Sequence, residues 1–170
     1  MTTSTNDRMF LTMALEEAKL ALEENTYPVG AVIVDEQNKV IAKGRNRVHT
    51  DKDATAHAEI DVIRNAGQAI LDAKVSGRVL TIYSSLEPCP MCTGAILFSH
   101  IRRAVWLKND EEGFGGYRKI KETMVFDRRF SSVKMVAEPL DDLKHQQETL
   151  MDKWADNPHN VINLRKASGK

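Results

Sequence analysis

The chain has 170 residues, 42% hydrophobic and 28% charged, a balance that fits one buried core and excludes a fibrous repeat or a disordered polar tract. Its 24 basic residues equal its 24 acidic ones, so no net field draws it toward nucleic acid or an anionic membrane. No apolar stretch approaches a membrane span, and residues 1–7 lack the basic patch and apolar run of a signal peptide, so a cytoplasmic protein without membrane attachment is expected.

Phe10, Met13, Ala14, Ala18, Ala21 and Leu22 recur at three- and four-residue steps and predict an amphipathic helix over residues 7–24. Tyr27-Pro28-Val29-Gly30 breaks it. Residues 31–34 then read as a strand, Asp35-Glu36-Gln37-Asn38 as a turn and residues 39–44 as a second strand, so a hairpin opens the sheet. A polar connection leads to a helix over residues 56–66, with Gly67 as its stop. Residues 79–84, 103–107 and 133–137 read as further strands and residues 89–98 and 140–154 as helices, with Gly113-Phe114-Gly115-Gly116 as a flexible loop. This alternation predicts an α/β fold, a three-layer α/β/α sandwich on a five-stranded mixed sheet whose later strands are parallel. Residues 1–157 are expected to form a single domain and residues 158–170 a loose tail.

The chemistry is concentrated in His57-Ala58-Glu59 and Pro88-Cys89-Pro90-Met91-Cys92. Cysteines at i and i+3 in a helix's first turn point the same way, and two thiolates with one imidazole supply three ligands for Zn2+, one ion per subunit. There is no further cysteine to close a structural site, so an open position for water is expected. A dication with two thiolates and a neutral histidine is formally neutral and polarises a bound water. Glu59, two positions past His57, is read as the catalytic proton shuttle beside the metal, not as a fourth ligand. Taken alone, Cys89 and Cys92 also fit a redox dithiol or two buried thiols, and Glu59 fits a carboxylate on a helix dipole. Asn46 alone suits a turn with positive φ. The other histidines lie in no ligand-spaced pattern and read as structural, and Arg102-Arg103, Arg128-Arg129 and Arg165-Lys166 as solvated charge.

His-x-Glu followed by Pro-Cys-x-x-Cys is the signature of zinc nucleobase deaminases. With Pro28-Val29-Gly30-Ala31-Val32, Asn46 and Cys92-Thr93-Gly94-Ala95-Ile96, the chain resembles the cytidine deaminase-like superfamily. The resemblance lies with the branch of guanine deaminases, fungal-type cytosine deaminases and bacterial tRNA adenosine deaminases, and it implies a homodimer. It makes His57, Cys89 and Cys92 the zinc ligands and Glu59 the shuttle, with Asn46 and the Ala58 N–H as substrate contacts. Phe114 suits a pocket loop, and by likeness to fungal cytosine deaminase Trp154 and Asp156 suit a pocket-closing helix. The expected substrate is a free nucleobase or nucleoside of guanine or cytosine type, because the acidic run Asp110-Glu111-Glu112 would repel a phosphate backbone. The alternative is conversion of adenosine to inosine at the wobble base of a tRNA anticodon.

Overall fold

The computed structural model describes residues 5–169; residues 1–4, part of the segment considered for a signal peptide, and Lys170, the end of the expected tail, lie outside the described residues. The elements run α1 (Thr5–Glu23), β1 (Gly30–Asp35), β2 (Val40–Arg45), α2 (Ala58–Asn65), α3 (Gly67–Ser76), β3 (Leu80–Leu86) and α4 (Pro90–Phe98). Then follow β4 (Ile101–Lys108), α5 (Tyr117–Glu122), α6 (Asp127–Phe130), β5 (Lys134–Ala137), α7 (Asp141–Ala155) and α8 (Val161–Ala167). The five strands lie in the order β2-β1-β3-β4-β5. β1 is antiparallel to both β2 and β3, and β3, β4 and β5 are mutually parallel, which is the mixed sheet expected.

Successive side chains on a strand face opposite ways, and β1 shows how this sandwiches the sheet. Ala31 and Ile33 enter a core shared with Val62, Ile70 and Ile96 of α2, α3 and α4. Val32 and Val34 enter a second core with Phe10 and Ala14 of α1 and Leu143 and Leu150 of α7. α1 crosses β1 so closely that a Cβ on Gly30 would lie 2.1 Å from the Ala14 carbonyl oxygen, so only glycine fits there.

Three local readings are corrected. Gly67 does not stop a helix; it opens α3, because Ala66 bends the chain with φ −87° and ψ 4° and both ends α2 and precedes α3. The stop is Gly77, at φ 73°, the left-handed conformation a helix C-terminus favours. Residues 117–122 and 127–130 form short helices that a periodicity read over longer windows passes over. Residues 161–167, read as loose tail, form α8, started by Asn160, whose side chain accepts the Ile162 N–H at 2.9 Å.

Arg103, read as solvated with Arg102, is drawn inward. Its guanidinium donates to both oxygens of buried Asp7 at 2.7 and 2.8 Å, and the Tyr83 hydroxyl donates to Asp7 at 2.8 Å, pinning the first turn of α1 to β3 and β4. Asp7→Ala would leave Arg103 half-buried without its carboxylate. We expect a loss of about 3 kcal/mol, seen as a lower urea midpoint at unchanged m. A midpoint equal to wild type would show that the network carries no weight.

Candidate zinc and substrate site

The site is built from three helix ends, the C-terminus of α1 and the N-termini of α2 and α4. α1 stops in a Schellman motif: Asn25 is left-handed at φ 57°, the Asn25 N–H reaches the Leu22 carbonyl and the Thr26 N–H reaches Ala21. That turn buries Thr26, whose hydroxyl donates to Asn46 Oδ1 at 2.6 Å. The same oxygen accepts the Val48 N–H at 3.0 Å, an Asx turn that also fixes which end of the amide is oxygen. Asn46 is not among the described residues with positive φ, so a left-handed turn does not explain it. With Oδ1 committed twice, its amide nitrogen is the donor left over, and Asn46 lines the cavity described below.

His57 is the N-cap of α2 and Cys89 the N-cap of α4, with Pro90 at the first helical position, where its missing N–H costs nothing. The two helix starts converge so that ligand atoms of His57, Cys89 and Cys92 lie within 4.8 Å of one another. His57 Nδ1 and Cys89 Sγ are 3.6 Å apart. A tetrahedral zinc with ordinary Zn–S and Zn–N bonds needs an S···N edge of about 3.6 Å, so the pair is spaced for the metal. Among the described residues no fourth donor joins the three, which leaves one tetrahedral position to water or substrate.

The charges suit a cation. The Cys89 thiol is held down to about 4, chiefly by the hydrogen bond from Cys92 and then by His57, although burial opposes this. The same hydrogen bond, with burial, pushes Cys92 up, and the bond to Cys89 raises His57. Glu59 is buried beside them, and burial lifts its carboxyl above the usual range. Its Oε1 accepts from the Ser84 hydroxyl of β3 at 3.1 Å, a partner the sequence reading did not find.

His57, Ala58, Glu59 and Cys89 open onto a cavity of about 370 Å³ that Asn46 and Phe114 also line. The Ala58 N–H sits at the first helical position, one of the donors a helix leaves without an internal partner. Trp154 and Asp156 are not brought to the cavity wall. Trp154 is buried one layer behind, against Tyr27 and His49, and Asp156 is exposed at the end of α7. A larger hollow of about 660 Å³ lies elsewhere along α4, against Phe98, Ile120 and Phe126; it carries none of the three ligands, so donor chemistry and not size identifies the site.

Glu87, missed in the sequence as a functional position, holds the cavity's loop. Buried before Cys89, it accepts from the Asp110 and Arg118 backbone N–H groups and from the Arg118 guanidinium at 2.8 Å. The Glu87-Pro88 step ahead of the first cysteine was the available signal.

The family model for the cytidine and deoxycytidylate deaminase zinc-binding region matches residues 4–108, which contain His57, Glu59, Cys89 and Cys92. The chain belongs to this zinc deaminase family. The chain is 44% identical over 104 residues to a tRNA-specific adenosine deaminase of Agrobacterium fabrum, covering 61% of this chain and 66% of that protein. It is 44% identical over 102 residues to a chloroplastic tRNA(adenine(34)) deaminase of Arabidopsis thaliana, covering 60% of this chain and 8% of that longer protein. Thus it spans just under two thirds of the bacterial relative's length and a small part of the plant one. A solved structure from work on A-to-I editing by tRNA:A34 deaminases superposes with a TM-score of 0.63 at 32% identity, over 84% of this chain and 99% of that one.

These relatives overturn the expectation of a free nucleobase or nucleoside as substrate and partner, with tRNA only as the alternative. The physical argument behind it holds only in part. Glu111 is paired with Arg118 at 2.8 Å, and Asp110 Oδ1 accepts the Gly113 N–H, so the acidic run is partly spent within its own loop and is not a bare field against phosphate. No helix among the described residues is long and apolar enough to cross a membrane.

Proposed function

We propose that this deaminase converts adenosine to inosine in tRNA, at the wobble position of the anticodon. The observation that carries the reading is the pairing of an open three-ligand cluster and a buried glutamate in one cavity with relatives named for this substrate. An anticodon base leaves its stack at far smaller cost than a base inside a duplex, which suits a recessed site.

In the proposed site His57 Nδ1, Cys89 Sγ and Cys92 Sγ hold zinc. The metal, when bound, supplies the Lewis acidity that makes water nucleophilic near neutral pH. Glu59 takes the proton from the attacking water and returns it to the departing amine, so ammonia leaves and the ring keeps the oxygen. Burial raises its carboxyl above the usual range, which favours taking up the water's proton. Ser84 holds Oε1, which leaves Oε2 for the moving proton. The Asn46 amide and the Ala58 N–H orient the base, and Phe114 lines the cavity beside them.

Zinc-loaded protein incubated with an anticodon stem-loop carrying a wobble adenosine should yield inosine by nucleoside mass analysis. Retention of that RNA should weaken steeply as salt rises, as phosphate contacts require. Ammonia released from free bases, with no inosine in RNA, would refute the reading.

A further inference from the structure

Tyr27 lies on the wall of the same cavity as His57 and Glu59, and α7, outside the family-matched residues, fixes it there. Three α7 residues spaced four and three apart share one helical face toward this wall. Gln147, fully buried, donates from Nε2 to the Pro28 carbonyl at 2.8 Å. Met151 lines the cavity. The Trp154 ring sits 5.0 Å from the Tyr27 ring, and His49 holds that ring from a second direction at 5.5 Å. The Trp154 Nε1–H is buried without an acceptor among the described residues, so what Trp154 supplies is ring surface and not a hydrogen bond. Thr26 before Tyr27 is tied to Asn46, and Pro28 after it has a fixed φ, so the backbone is immobilised on both sides. Phe114, the other hydrophobic aromatic on the cavity, is 82% exposed and has no ring partner among the described residues, and supplies no fixed wall.

We infer that Tyr27 is the preorganised aromatic wall against which the ring of the target base packs, with Trp154 as its positioning residue. This rests on the deaminase reading of the same site. A planar heteroaromatic ring placed there loses little entropy, because its stacking partner is already ordered.

The test compares Tyr27→Ala and Tyr27→Phe with wild type on the anticodon stem-loop and on free adenine, guanine and cytosine. A stem-loop carrying 2-aminopurine at the target position reports stacking by emission quenching. Tyr27→Ala should lose tenfold or more in kcat/KM, mostly through KM, and lose the quench, with zinc content unchanged. Tyr27→Phe should stay within about threefold, since the ring and not the hydroxyl does the packing. Trp154→Ala should imitate Tyr27→Ala and Trp154→Phe should restore function; if Trp154→Ala fails to fold, the Tyr27 pair still decides. If wild type turns over a free base and no RNA, the tRNA reading fails while the Tyr27 comparison is made on that base. Tyr27→Ala indistinguishable from wild type in both turnover and quenching overturns the inference.

Discussion

Glu59→Ala is expected to lower kcat by roughly 10²- to 10⁴-fold, the usual contribution of a positioned proton-transfer group, while zinc content stays whole. The prediction follows from how few tasks this side chain has. It is buried, it accepts from the Ser84 hydroxyl and meets the Cys92 thiol, and it is not a fourth member of the ligand cluster. Its removal therefore leaves all three donors of the cluster in place. Glu59→Gln should behave almost as badly, since the amide keeps the shape and can accept from Ser84 but carries no proton to the leaving amine. Turnover measured beside metal analysis on the same preparation separates chemistry from metal loss. Either variant retaining more than a tenth of wild-type kcat at full zinc content would remove Glu59 from the proposed mechanism.

Cys92→Ser should lose both zinc and turnover, because each of the three donors found among the described residues carries a large share of the binding and Cys92 is fully buried. Stripping zinc from the wild-type protein with a chelator should lower its melting temperature in the same direction, since a ligand that binds only the folded chain stabilises it by mass action. The pH dependence has a definite sign. Without metal, Cys92 and His57 are both raised above their ordinary values, so each holds its proton to higher pH, whereas Cys89 is already a thiolate. Zinc requires all three ligands deprotonated, so its uptake releases protons and its affinity falls as pH falls. Competition against a chromophoric chelator across pH 6 to about 8 reads this directly. Affinity independent of pH, or a zinc-replete Cys92→Ser variant, would place the metal elsewhere.

How much of this could be read from the chain divides along a physical line. Long elements announced themselves: α1 and α7 fall within a few residues of their expected positions because their apolar residues recur at helical spacing, and the β1–β2 hairpin does so because a branched apolar run is bounded by turn residues. Short elements did not. α5 and α6 have six and four residues, too few for a period, and α3 was hidden because Gly67 reads as a stop until Ala66 is seen to bend the chain. The substrate was misread for a related reason. Charges counted along Asp110-Glu111-Glu112 look like a bare run, but Arg118 of the next helix, shared with Glu87, pairs with Glu111, and only the folded loop shows it.

Sequence by itself singled out His57, Glu59, Cys89 and Cys92 and the likeness to zinc deaminases, because each pair is close in sequence; the fold then brings the two pairs together across 32 positions. Tertiary structure alone decided what surrounds them. Ser84 against Glu59, Thr26 against Asn46, Glu87 against Arg118 and Trp154 behind Tyr27 join residues 20 to 127 positions apart. Contacts at that range leave no periodic trace in the chain; they exist only because the sheet order and the crossing of α1 and α7 bring those backbones together.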